Sequence, residues 1–271
     1  MAKYKKKVVR KLQQDKFRDT TMGLLDRLGN LLEGRGRTIL YGVSGLVVVG
    51  LLVVLFVKWS NRKADEARQA LGRAITISTS NIGAPLPGAD DSAITFNSES
   101  ERSQRAIEEF EKVAAKYGDP YRSQARYFIA SNRLALDRAK GVTELTELQN
   151  SGVPEVAALS KFALAQAKES DGKLDEAAQL YSDLARLNGP TITPETANLK
   201  LAKVYEKQGK KKEAADILFN VVDASRKAKD ADNQPAQISA AAREAAEELK
   251  KLDPERYAQL PPEATATSLL G

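Results

Sequence analysis

The chain has 271 residues, a formal net charge of +6, and neither cysteine nor histidine. That composition excludes disulfide scaffolds, cysteine nucleophiles, histidine-based triads, Cys/His zinc sites and a lipoprotein anchor, which needs an acylated cysteine. Aromatics make up only 6% and Ala, Leu, Lys and Glu abound, so helices are favoured over strands. The absence of cysteine fits any redox compartment.

The charge is unevenly placed. Residues 1–37 hold 11 Lys/Arg against 4 Asp/Glu, whereas residues 59–271 hold 30 against 32. The basic excess therefore belongs to a short tail beside an apolar stretch, where cations serve membrane topology and anionic lipid, and no nucleic-acid partner is expected. Within that tail Leu24, Leu25, Leu28, Leu31 and Leu32 share one helical face before Gly34 and Gly36 interrupt the pattern. A short amphipathic helix lying on the inner leaflet fits this spacing. So does a helix docked on a partner's cytoplasmic face, and so does a solvated tail.

Residues 38–57 contain no charge. Twenty helical residues span about 30 Å, the hydrocarbon thickness of a bilayer, so one transmembrane helix is expected here. Arg35 and Arg37 precede it, Lys58, Arg62 and Lys63 follow it, and Tyr41 and Trp59 fall near its two ends. A cleaved signal peptide would have a shorter apolar stretch ending in small residues, not in the Lys-Trp-Ser-Asn-Arg-Lys found at 58–63. Gly42, Gly45 and Gly50 leave room for a second helix to approach. Translocating the cationic tail would be unfavourable, so the N-terminus is expected in the cytoplasm and residues 59–271 outside it.

A helix is expected over 61–77, continuing from the span. A loop rich in turn formers follows over 78–100, with Gly83, Pro85, Pro87, Gly88, Asp90 and Asp91. From Glu101 onward helices alternate with breaks near Gly118 to Pro120, Gly141, Ser151 to Pro154, Gly172, Gly189-Pro190, Gly209 and Asn233 to Pro235. The breaks are periodic. Gly-Lys-Leu-Asp-Glu-Ala-Ala-Gln-Leu-Tyr at 172–181 recurs as Gly-Lys-Lys-Lys-Glu-Ala-Ala-Asp-Ile-Leu at 209–218, 37 residues later. Such a period indicates stacked helical hairpins. A polar capping helix is expected over 236–252 and a flexible tail over 253–271.

At these residues the chain resembles the tetratricopeptide repeat family, whose pattern is W-x2-L-G-x2-Y, then A-x3-F, then P. One unit supplies Leu164, Ala165, Ala177, Tyr181 and Pro190; the next supplies Leu201, Ala202, Tyr205, Ala214 and Leu218. Both lack the Trp, which Lys161 and Asn198 replace, and the second lacks the terminal Pro. Residues 106–120 match a second helix whose first helix would be 61–77, and 121–149 reads as a degenerate unit. The fold expected is all-α: one N-terminal transmembrane helix followed by an α-solenoid of divergent tetratricopeptide-like hairpins. The layout also resembles the bacterial inner-membrane proteins typified by the ancillary subunit of the Sec translocon. That resemblance implies an extracytoplasmic repeat domain and partners among translocon subunits, chaperones or exported clients. A structural scaffold of an envelope assembly complex (division, cell-wall synthesis or outer-membrane export) has the same layout.

No catalytic constellation is found. Carboxylate pairs such as Glu108-Glu109, Asp175-Glu176 and Glu247-Glu248 point about 100° apart on a helix and do not converge. No enzyme activity, cofactor, metal or small-molecule substrate is therefore expected. The first helices of a hairpin stack line its inner surface, so Phe162, Gln166, Glu169, Leu199, Lys203 and Glu206 are the candidate partner-binding residues. The alternative for Phe162 and Leu199 is core between repeats.

Overall fold

The computed structural model describes residues 36–83 and 94–263, with side chains from residue 46. The leucine-patterned helix read at 24–32, the Pro85 to Asp91 stretch and residues 264–271 lie outside the described residues. The chain divides into two compact units, Met1–Glu66 and Ala67–Gly271.

The longest element, α1, runs over Gly36–Ser78. In the first unit its large apolar side chains between residues 46 and 57 are each 48–74% exposed. Among the described residues no helix is long and apolar enough to cross a membrane. The described apolar side chains extend over 46–57 only, and Lys58, Arg62 and Lys63 follow at once.

The described residues of the second unit are mostly helical. Two short parallel strands, β1 (Asn81–Ile82) and β2 (Thr95–Phe96), interrupt what was expected to be loop alone. They pair because Gly83 N–H donates to the Phe96 carbonyl at 2.8 Å and the Phe96 ring is buried. Then come α2 (Glu99–Lys116), α3 (Tyr121–Leu136), α4 (Arg138–Leu148), α5 (Pro154–Ser170), α6 (Leu174–Leu187), α7 (Pro194–Lys207), α8 (Lys211–Lys227), α9 (Ala240–Leu252) and α10 (Pro254–Tyr257). Local chemistry sets their starts. Ser98, Asp137, Thr193, Ser239 and Asp253 each accept a hydrogen bond from the backbone N–H three residues on, satisfying a donor that the first helical turn would leave open.

The two clearest hairpins turn in the same way. Gly172 and Gly209 take φ of 75° and 77°, a conformation that side chains disfavour. After each, a lysine N–H reaches back 2.9 Å to a carbonyl of the preceding helix: Lys173 to Lys168 and Lys210 to Tyr205. With Gly172 N–H to Glu169 and Gly209 N–H to Glu206, these are paired Schellman caps. The 37-residue repeat in sequence is thus a repeat in backbone geometry.

The core forms four layers along the stack, each built from consecutive helices. Leu71 and Ala74 of α1 pack with Phe110 of α2 and Ile129 of α3. Ala130 of α3 packs with Leu145 of α4 and Leu164 of α5. Ala165 of α5 packs with Tyr181 of α6 and Val204 of α7. Leu199 of α7 packs with Leu218 of α8 and Leu249 of α9. Helices α3, α5 and α7 each serve two layers. The small pairs Ala165/Ala177 and Ala202/Ala214 are all fully buried, which lets the paired helices approach closely.

Three expectations are corrected. Gly141 does not break a helix: the break falls at Asp137, which ends α3 and caps α4, and Gly141 lies buried one turn inside α4. A Cβ there would stand 2.8 Å from the Leu134 backbone N, so the residue is glycine to permit close crossing. The segment read as a flexible tail from 253 is held down as far as Pro261. Arg256 pairs with Asp216, Arg226 donates to the Pro261 carbonyl, and Leu260 is buried against the last layer. The capping helix is also shorter than expected, starting at Ala240 rather than 236.

Candidate interaction surfaces

The six residues expected to line the inner face are three pairs at equivalent positions of α5 and α7: Phe162/Leu199, Gln166/Lys203 and Glu169/Glu206. The structure does not bring them together as one binding strip. Leu199 is core at 3% exposure, which removes it from any lining role. Its counterpart Phe162 is half-buried, edge-on to Tyr181 with ring centroids 5.7 Å apart. Because each first helix serves two layers, its apolar positions are consumed by packing.

The polar pairs mostly tie one hairpin to the next. Glu169 accepts from Tyr181 O–H at 3.2 Å and from Lys207 Nζ at 2.6 Å. Burial, then the Glu169 charge, pushes the Tyr181 phenol far above its usual range. Lys203 pairs with Glu244 of α9, which raises the lysine and lowers the carboxyl through their shared hydrogen bond. Glu206 differs. Its Oε1 is buried without a hydrogen-bond partner, and burial followed by repulsion from Glu248 raises its carboxyl. Gln166 alone of the six is exposed. The repeat explains part of the contrast: Leu218 stands where Tyr181 stood, and the acidic residue of α9 that faces Glu206 is Glu248 rather than a lysine like Lys207. Sequence patterning missed Lys207 and Tyr181 as partners because they reach across helices rather than along one.

A larger surface was not anticipated. A groove of about 740 Å³ opens where the start of α5 meets the end of α6, lined by Val153, Pro154, Ala158, Lys161, Leu187 and Pro190 among others. Leu187 is 57% exposed although apolar. Asn188, at φ 46°, ends α6 there and turns the chain into Gly189-Pro190, leaving the groove uncapped. The signal in sequence was an apolar residue directly before Asn-Gly-Pro. One glutamate, Glu155, and one lysine, Lys161, line it, so its charge is balanced. Among the described residues no group of three acidic side chains could hold a metal ion.

No protein-family model and no curated protein matches the chain. Among solved structures it is similar to the nearly identical TPR-like repeats of a chain assigned as a kinesin light chain from Podosopora anserina. The two are 17% identical with a TM-score of 0.45, over 72% of this chain and 88% of that one.

Proposed function

We propose that this chain is a membrane-tethered, non-enzymatic protein-interaction module whose hairpins are divergent tetratricopeptide repeats. It works on the outer side of a bacterial inner membrane, near the Sec translocon, assisting secretion or folding of exported proteins. The observation that carries the binding role is the open apolar groove with exposed Leu187, which fits an extended stretch of another chain. The tether is supported by the uncharged run 38–57 and the exposure of its side chains from Leu46 on.

The test is a photo-crosslinking residue placed at Leu187 or at Gln166 of the full chain in cells. Adducts at Leu187 with translocon subunits, chaperones or exported proteins support the reading; no adduct at either position would end it. Topology has its own test, since the chain lacks cysteine. A single Ser80→Cys is expected to label with an impermeant maleimide in spheroplasts with intact inner membranes, and failure to label would reverse the orientation. If deleting the gene left maturation of exported proteins unchanged, the secretion role would fall.

The second reading is a scaffold for envelope assembly. It is favoured by the ion pairs that lace the first helices, Glu169 with Lys207 and Lys203 with Glu244, a mixed surface suited to one folded partner. Recovery of a single division, wall-synthesis or export complex in the same cross-linking experiment would select it.

A further inference from the structure

The helix α1 changes character within one turn. The apolar side chains end at Val57, and Lys58, Trp59, Arg62 and Lys63 follow, with no acid before Asp65. Trp59, the chain's only tryptophan, is 54% exposed and lies against Phe56 with ring centroids 6.3 Å apart. The Lys63 ammonium folds back over the indole at 3.8 Å from its centroid, which draws that cation toward the apolar end of the helix. Lys58 and Arg62 stand one turn apart on a neighbouring face.

We infer that Lys58, Trp59, Arg62 and Lys63 form a collar that binds the headgroup phosphates of anionic phospholipids. The inference rests on the membrane reading above and adds to it a lipid preference. The argument is one of order and charge. A helix whose aliphatic side chains give way within one turn to an indole flanked by cations matches the layers met on leaving a bilayer: acyl chains, the glycerol region, phosphates. An indole at the middle level anchors depth. The guanidinium of Arg62 grips phosphate through two parallel N–H donors, with Lys58 a turn below as a point charge. A neutral lipid would satisfy the apolar band equally well but offer these cations no counter-charge at the bilayer surface, so the occupant is an anionic lipid.

The single tryptophan provides the readout. The full chain is reconstituted in phosphatidylcholine vesicles, with or without phosphatidylglycerol, and Trp59 fluorescence is quenched by lipids brominated at shallow or deep chain positions. Shallow quenching exceeding deep quenching is expected. Phosphatidylglycerol should also be enriched around the purified protein in nanodiscs. Lys58→Gln with Arg62→Gln should reduce that enrichment by roughly fivefold per cation, the Boltzmann factor for the attraction of one cation to an anionic surface. Quenching that stays shallow while enrichment is the same in the wild type and the double variant overturns the collar and leaves the span standing. Absence of quenching by either brominated lipid overturns the span, and the collar with it.

Discussion

Glu206 stands 37 residues after Glu169, at the same position of the next first helix, but only Glu169 has partners for its carboxylate. Tyr181 and Lys207 serve the first; Leu218 takes the place of Tyr181 beside the second, and α9 presents Glu248 to it. The backbone repeats and the electrostatics do not. At Glu206 the charged form is opposed by burial and by Glu248 on α9. Lys203, Lys211 and Lys251, which also face it, offset part of this.

The pH dependence follows from that asymmetry. The Glu206 carboxyl is raised in the folded state, so its protonated form favours folding. That contribution is complete below the ordinary carboxylate range and is lost as pH rises through the raised value. Glu206→Gln is expected to raise the thermal midpoint near pH 7 by no more than a few degrees and to leave it unchanged in acid. Thermal unfolding of the full chain followed by circular dichroism at both pH values checks this. A lower midpoint at pH 7 would mean that the carboxylate is stabilising.

Tyr181→Phe keeps the packing on Phe162 and removes one donor to Glu169. A loss of about 1 kcal/mol is expected, larger than for most surface hydrogen bonds because the ring is fully buried. In a double-mutant cycle with Glu169→Ala the two changes should not add, since each removes the same contact. Strict additivity would show that the hydrogen bond contributes nothing.

Two glycines should respond oppositely to alanine. Gly72 lies in α1 with open space where a Cβ would sit, so Gly72→Ala should stabilise by roughly 0.5–1 kcal/mol. At Gly141 the new methyl meets the α3 backbone, and the helices must part, at a cost of about 1–3 kcal/mol that exceeds the gain in helix propensity. Denaturant midpoints of the two variants make the comparison, and stabilisation by Gly141→Ala would contradict the close crossing.

Leu199 and Leu187 separate core from surface. Leu199→Ala should cost about 2–4 kcal/mol by opening a cavity in the last layer. Leu187→Asp should shift stability by less than about 0.5 kcal/mol, because the side chain is largely exposed already. It should nevertheless abolish partner recovery on affinity purification. Undiminished recovery would move the binding surface away from the groove.

Much of this fold is legible in the sequence where local rules suffice. The 37-residue period could be read because Gly172 and Gly209 supply a backbone conformation and the buried alanines a close approach, both properties of single residue types. Gly141 misled for the same reason: glycine signals a turn and a close crossing alike, and only the partner helix decides between them. The docked segment after Asp253 was hidden because its anchors, Asp216 and Arg226, lie on α8, far back in the chain. The sequence leaves Leu199 open between groove lining and core between repeats, because a pattern on one helix cannot show that the helix serves two cores. The actual groove depends on where α6 stops, and one exposed leucine gave it little weight.

The sharing of α3, α5 and α7 between adjacent layers bears on how the chain yields under tension. A load applied at the C-terminal end meets the docked segment around α10 and Leu260 and then α9, all of which belong to the last layer alone. Detaching them lays bare one side of α7 while the opposite side stays seated on α6. Pulled in an optical trap, the domain should therefore come apart as a staircase of hairpin-length steps rather than in a single rip.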